Sequence, residues 1–370
     1  MRLAWKAQGS GARIYPVTPK LLLLLIALSA CTYDARYENC TIRCSVDTGC
    51  PDQLSCGPEG LCHASDVTCS SPDGGVGIPS CVDLAATCGP QGTDDCCSTA
   101  LPIPGGSYYR SYDTAADSMY PSTAYPATIS PFVLDKYEVT VGRFRKFVEA
   151  GKGTRADPPS VDTGERELNG TVQGGWDASW NADLPADSAS LTAALKCDAS
   201  FQTWTEAAGA NEELPINCVT WYEAFAFCAW DEGFLPTEAE WNFAATGGDE
   251  QRAYPWSVPA PALTIDCSYA NYDGCGGHIH RVGASSPKGD GKWGQSDLAG
   301  NIWEWALDWY ASSYPSATCD DCANLVTSVR RVNRGGGFTF PSVQLRSALR
   351  GFETPAPPYA TIGIRCARQH

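Results

Sequence analysis

Nineteen cysteines in 370 residues constrain this chain more than any other feature of its sequence. So many thiols are typical of proteins that fold in an oxidising compartment, where disulfides supplement the hydrophobic core. Cys31 stands alone, ten cysteines lie between Cys40 and Cys97, and eight lie between Cys197 and Cys366. Because both groups are even, the sequence predicts two self-contained sets of disulfides.

Composition excludes several classes of protein. Hydrophobic residues make up 43% of the chain, which is enough for a sizeable core. The 26 Lys and Arg residues against 42 Asp and Glu residues give a net charge of −16, which repels phosphate backbones. We therefore expect no nucleic-acid partner.

The only long apolar run covers residues 21–30 and is too short to cross a bilayer. It is typical of a signal peptide, which we assign to residues 1–30. The run ends directly before Cys31, as in bacterial lipoproteins, so we predict that Cys31 is lipidated and binds membrane lipid. Thr32 is compatible with sorting to the outer membrane of the bacterial cell envelope. The alternative is a plain secretion signal cut near Ala30.

Residues 31–98 contain many cysteines and turns but few large apolar side chains. A segment of this composition cannot form a core of its own and has to be held by disulfides. We interpret it as a disulfide-rich stalk that spaces the following domain from the membrane. A binding role for the stalk itself is the alternative.

From residue 99 onward the sequence indicates one α+β domain with little regular structure. Strands are predicted over residues 105–110 and 129–137. Three helices are predicted to begin after capping threonines, which are Thr140, Thr220 and Thr237. Residues 151–215 have the character of an insertion with one helix around residues 191–196.

Several motifs in this part of the chain resemble those of the formylglycine-generating enzyme (sulfatase-modifying factor) family. They occur in the family's order, and they include Leu235-Pro236-Thr237-Glu238, Gly300-Asn301-Ile302-Trp303-Glu304-Trp305, Arg334-Gly335-Gly336 and Gly363-Ile364-Arg365-Cys366. The resemblance covers about residues 102–370. It implies a C-type-lectin-like core for the domain that we assign to residues 99–370.

The resemblance also implies bound calcium. The matching loop carries four ligand positions, namely the side chains of Asp297 and Glu304 and the carbonyls of Gly300 and Ile302. Carboxylates mixed with backbone carbonyls are the ligands that calcium prefers. A second site would use Asn271 and the Tyr272 carbonyl, but its downstream carboxylate has no counterpart that we can identify. The alternative for the first loop is a capped turn without metal.

For disulfides, the resemblance implies that Cys228 pairs with Cys366. Six cysteines of the domain then remain to pair among themselves. We expect Cys197 to pair with Cys218, because these two flank the insertion.

The chemistry of the family's enzymes does not carry over. Those enzymes bind copper through two cysteines after the Arg-Gly-Gly motif, whereas residues 337–345 here contain no cysteine. Thiolates suit Cu(I), and Phe, Pro, Val and Leu cannot replace them. Cys319-x-x-Cys322 favours a structural bridge over a redox dithiol, and His278-x-His280 favours exposed loop residues over a metal site. We therefore expect calcium but no copper.

Three functions remain open at this stage. The first is a non-oxidase module whose groove binds a protein, peptide or glycan ligand, lined by Trp303, Trp305, Arg350 and Tyr359. The second is a formylglycine-generating-type oxidoreductase with relocated metal ligands, acting on a protein or thiol. The third is an envelope-anchored structural lipoprotein without a ligand. The missing copper cysteines favour a protein that is not an enzyme.

Overall fold

The computed structural model describes residues 55–56, 62–63, 78–98, 100–117, 119–314 and 319–370. The chain divides into two compact units, Met1–Pro72 and Asp73–His370. In the first unit, strand β1 (Ser55–Cys56) pairs antiparallel with β2 (Cys62–His63). The predicted signal peptide and Cys31 lie outside the described residues. Within the described ranges, no helix is both long and apolar enough to cross a membrane.

The second unit contains short helices and strands joined by long loops. Its α-helices are α1 (Val141–Glu149), α2 (Ser188–Ala194), α3 (Trp221–Trp230) and α4 (Glu238–Thr246). Its strands are β3 (Gly106–Tyr109), β4 (Pro126–Ile129), β5 (Phe132–Leu134), β6 (Arg166–Leu168), β7 (Thr171–Gln173), β8 (Trp303–Trp309), β9 (Cys319–Asp320), β10 (Arg331–Arg334), β11 (Gly351–Glu353), β12 (Ile362–Gly363) and β13 (Ala367–Gln369).

The strands form several small sheets instead of one continuous sheet. The central sheet has the order β11-β10-β8-β12, in which β8 and β12 are parallel and the other neighbours are antiparallel. Smaller sheets have the orders β13-β5, β3-β4-β9 and β6-β7. This arrangement is α+β with little regular structure, which confirms the predicted fold class.

Three helices begin at the capping threonines that the sequence predicts. The Thr140 side chain accepts a hydrogen bond from the backbone of the first turn of α1. At α3 and α4 the cap is reciprocal, because Thr220 pairs with Glu223 and Thr237 pairs with Glu240 through both side chains. These caps satisfy backbone N–H groups that a helix of two or three turns would otherwise leave without partners.

Two predicted elements differ from the structure. The strand predicted over residues 129–137 is interrupted, because Pro131 has no N–H to donate and the N–H of Ser130 donates to the Asp321 carboxylate instead. The helix of the insertion begins at Ser188, earlier than predicted. The side chain of Asp187 caps it by accepting from the backbone N–H of Ser190.

The two largest buried clusters of the described residues are rich in aromatic side chains. The larger cluster joins α1, α3 and β8 and includes Phe144, Trp221 and Trp305. The second joins β5 and α4 and includes Phe132 and Trp241. Since every residue of β8 is buried, this strand fixes the loop that precedes it to the centre of the domain.

Residues 78–98 pack on the domain and are stapled by the disulfides Cys81–Cys97 and Cys88–Cys96. The guanidinium Nε of Arg143 in α1 donates to the Ser80 hydroxyl over 2.9 Å. These residues belong to the second compact unit, Asp73–His370.

The eight cysteines of the later group are all paired. The bridges are Cys228–Cys366, Cys197–Cys218, Cys267–Cys275 and Cys319–Cys322. The first two are the pairs expected from the resemblance and from the position of the insertion. Cys319-x-x-Cys322 is a bridge between β9 and the loop after it.

The disulfides with the largest and the smallest sequence separation, Cys228–Cys366 and Cys319–Cys322, should differ in their effect on stability. Replacing Cys228 and Cys366 by alanine should lower the free energy of unfolding by roughly 5 kcal/mol, because this bridge closes a loop of 138 residues. Replacing Cys319 and Cys322, which are separated by 3 residues, should cost roughly 2 kcal/mol or less. Urea unfolding followed by tryptophan fluorescence measures both values. Equal losses would contradict the expectation.

Candidate functional site

A buried ion pair at the start of β8 is the base of the candidate site. The Arg365 guanidinium binds both carboxylate oxygens of Glu304, with its Nη2 2.7 Å from Oε1. The indole N–H of Trp241 donates to the Glu304 Oε2 over 2.6 Å. Glu304 and Arg365 are both fully buried. Glu304 is therefore fixed from two sides.

Two further carboxylates surround this pair. Burial raises the pKa of Glu138 well above its ordinary value, and the charges of Asp297 and Glu304 raise it further. Burial likewise raises the pKa of Asp297 to about 6, although its carboxylate accepts a hydrogen bond from the N–H of Gly283. Two buried carboxylates, Glu138 and Glu304, and the half-buried Asp297 thus interact with the charge of one guanidinium. A bound divalent cation would balance this surplus of negative charge.

The second predicted calcium position contains a polar atom without a partner. The amide nitrogen of Asn271 donates to the His278 carbonyl and to the Asn301 side chain, but its buried Oδ1 accepts no hydrogen bond. A buried amide oxygen of this kind is a suitable ligand for a hard cation. Among the described residues, however, no three His, Cys, Asp or Glu side chains converge to hold a metal on their own. A cation here would need carbonyl, amide or water oxygens as well.

An aromatic pocket of about 280 Å³ opens beside the start of β8. Its apolar surface includes Trp303 and Phe340, whose rings meet edge to face at 5.4 Å, and the half-buried Tyr359. Its polar lining includes Gln344 and Glu353, whose side chains make no hydrogen bond within the described part of the chain. This combination suits a ligand with an apolar face and hydrogen-bonding groups.

Two of the predicted groove residues have other roles. Trp305 does not line the pocket, because it is fully buried in the core and its indole N–H donates to the Val219 carbonyl. Arg350 lines the pocket, but its Nε and Nη2 bind the Glu238 carboxylate at 2.5 and 2.8 Å. Burial would raise the pKa of Glu238, yet the Arg350 and Arg334 charges outweigh it and lower the pKa to about 2. Arg350 is therefore a wall of the pocket and not a free cation.

The segment after Arg334 provides one side of this pocket. Gly335 and Gly336 adopt φ values of 101° and 79°, a left-handed conformation that other residues rarely adopt. They turn the chain so that Phe338 is buried while Phe340 lines the pocket. No thiol lies on this segment, and the twelve cysteines of residues 78–370 are all in disulfides. The donors present do not fit a thiolate-bound copper ion.

Sequence reasoning missed Phe340, Gln344 and Glu353 as pocket residues. The first two lie on the segment of residues 337–345, from which the sequence analysis concluded only that the copper-binding cysteines are absent. An aromatic residue shortly after the two glycines Gly335 and Gly336 was the available signal.

Comparisons with known proteins agree with this geometry. The family of sulfatase-modifying factor enzyme 1-like domains matches residues 86–370. A formylglycine-generating enzyme of Thermomonospora curvata is 29% identical over 268 residues, which cover 65% of this chain and 82% of that protein. An inactive C-alpha-formylglycine-generating enzyme 2 of Bos taurus is 28% identical over 287 residues, which cover 72% of this chain and 86% of that protein. PvdO from Pseudomonas aeruginosa shares the fold, with a TM-score of 0.50, 18% identity, and coverage of 73% of this chain and 93% of that chain.

Proposed function

This chain belongs to the family of sulfatase-modifying factor enzyme 1-like domains, and we propose that its domain is a non-oxidase binding module. The observation that carries the proposal is the cysteine-free segment of residues 337–345, which supplies an aromatic pocket wall where the family's enzymes have copper ligands. The similarity to a protein named as an inactive formylglycine-generating enzyme is consistent with this proposal. The ligand that the pocket suits is a protein segment, peptide or glycan.

The alternative, an oxidoreductase with relocated ligands, has less support. It requires two thiols in one place, and the closest pair in the sequence of residues 99–370 is Cys319 and Cys322, which form a disulfide. A mechanism through these sulfurs would first require their reduction, in a compartment that the cysteine content indicates is oxidising.

The function is tested with two measurements on one preparation, residues 32–370. In the first measurement, this protein is loaded with reduced copper and incubated with a cysteine-containing sulfatase peptide. We expect mass spectrometry to detect no more aldehyde than in a metal-free control, because no thiolate pair holds the metal. An active formylglycine-generating enzyme is the positive control. Turnover well above the metal-free control would contradict the non-oxidase proposal and favour the oxidoreductase alternative.

The second measurement screens the same preparation against glycan and peptide arrays. Any ligand retained by the wild type should lose affinity at least about tenfold in Phe340→Ala, since this ring contributes to the pocket wall without forming the main core. Val329→Ala, at an exposed position that does not line the pocket, is the matched control. Equal binding by wild type and Phe340→Ala would place the ligand elsewhere.

We also propose that the domain binds calcium. The first loop would hold it through Asp297, Glu304 and the carbonyls of Gly300 and Ile302. The surplus of carboxylates around Arg365 supports this proposal. The unpartnered Asn271 Oδ1, next to the Tyr272 carbonyl, supports a contribution of the second position.

Calcium should raise the stability of the domain. A ligand that binds only the native state adds about 2.7 kcal/mol at a hundredfold excess over its Kd. Calorimetric melting with calcium and with a chelator measures the difference, which Asp297→Ala should abolish. Asp249→Ala, an exposed carboxylate, is the matched control. A melting temperature that is unchanged by the chelator would show that the loop needs no metal.

Finally, we propose that the protein is a lipoprotein anchored through Cys31 in the bacterial outer membrane. The junction Leu28-Ser29-Ala30-Cys31 after a short apolar run supports lipidation, and Thr32 supports outer-membrane sorting. Because a single acyl chain binds membranes only weakly, stable anchoring requires more than one chain on this residue.

Cys31→Ser should leave the precursor unprocessed or release the protein in soluble form. Membrane fractionation followed by mass spectrometry of the N-terminal peptide measures both outcomes. Cys40→Ser, at the next cysteine, controls for the loss of one thiol and should keep the anchor. A mature wild-type protein with a free N-terminus at another residue would contradict lipidation.

A further inference from the structure

A pair of histidines belongs neither to the aromatic pocket nor to the carboxylate cluster. His278 and His280 lie in the loop that follows the Cys267–Cys275 disulfide. We propose that their two imidazoles form a binding site for a divalent late transition metal such as Zn²⁺ or Cu²⁺. The remaining coordination positions are open to water or to a ligand.

The first argument is the distance between the two rings. Their centroids are 4.8 Å apart and their planes are inclined by 57°. Two imidazole nitrogens bound to one metal at about 2.0–2.1 Å, in neighbouring positions of its coordination sphere, place the ring centres about 4.5–5.2 Å apart. The rings therefore already have the separation of a chelating pair.

The second argument is the tautomer of His278. Its Nδ1 lies 3.0 Å from the carbonyl oxygen of Gly276, which can only accept a hydrogen bond. Nδ1 therefore carries the proton and the lone pair lies on Nε2. Metal-binding histidines are oriented in this way by a second hydrogen bond to a carbonyl or carboxylate.

The third argument is that the backbone of the pair is fixed. The carbonyl of His278 accepts from the Asn271 side chain, and the N–H of His280 donates to Asn301 Oδ1 over 3.0 Å. Between them, Ile279 is buried against Ile302 and Phe338. Little backbone freedom is left for a metal to restrict, which lowers the entropic cost of binding.

The chemistry of the site selects the class of metal. The His280 ring makes no hydrogen bond within the described residues, so its nitrogens are available. Imidazole suits Zn²⁺, Cu²⁺ and Ni²⁺ and not calcium. Since the described chain supplies no third His, Cys, Asp or Glu ligand, coordination positions stay open.

Titration calorimetry on untagged residues 32–370 tests the site with ZnCl₂ and with CuCl₂. Excess calcium in the buffer fills any hard-cation site, so the result does not depend on the proposed function. We expect one equivalent of metal to bind per chain. His278→Ala and His280→Ala should each weaken binding at least about tenfold, because one imidazole cannot chelate. His370→Ala, at the exposed C-terminus, is the matched control and should bind like the wild type.

A second readout needs no variant. Bound metal should protect His278 and His280, but not His370, from modification by diethyl pyrocarbonate, as measured by peptide mass mapping. Melting in chelator checks that both variants fold. Undiminished binding by the His278→Ala/His280→Ala double variant, or modification of the two histidines that metal does not slow, would overturn the proposal.

Discussion

The buried contact between Arg365 and Glu304 is the interaction on which the candidate site depends. Besides Glu304, the guanidinium donates to three backbone carbonyls, those of Asp135, Lys136 and Ser296. One side chain thus joins the C-terminal segment, the chain after β5 and the loop before β8. Removing either partner would leave an unpaired charge in the core, which typically costs about 3–5 kcal/mol. The neighbouring Cys366 adds a covalent link from the same segment to α3.

The residues that stabilise the domain are largely different from those of the segment that carries the copper ligands in the family's enzymes. The ion pair, the disulfide and the aromatic clusters fix β8 and β12. Of residues 337–345, Phe340 packs against the larger cluster while only partly buried, and none takes part in the ion pair or the disulfide. That segment can exchange copper ligands for aromatic residues without disturbing the elements beneath it, as is general for loops on a rigid scaffold. The residues around the ion pair also carry a surplus of negative charge, because the carboxylates of Glu138, Asp297 and Glu304 all interact with the single charge of Arg365. The carboxylates that suit calcium therefore belong to the scaffold and not to the pocket.

Local sequence signals predicted the parts of the fold that local chemistry determines. The caps at Thr220 and Thr237 are examples, because both partners of each reciprocal hydrogen bond lie within one turn. The motifs of the family located Glu304 and Cys366, but not the role of Arg350, whose guanidinium is bound by Glu238. Trp305, which the sequence analysis names as a groove residue, lies two residues after Trp303, so alternation along a strand puts both side chains on one face. In β8 both faces are buried, which the sequence of one strand does not reveal.

The pairing of cysteines links the proposed function to the compartment. In an oxidising environment two adjacent thiols tend to form a disulfide, so a thiolate metal site persists only where the metal protects it. Here every cysteine of residues 78–370 is already in a bridge. Histidines do not oxidise in this way, and the pair at His278 and His280 lies directly after the loop that the Cys267–Cys275 bridge closes. A metal site built from imidazoles can therefore coexist with a fully oxidised domain, whereas a two-thiolate site would compete with its disulfides.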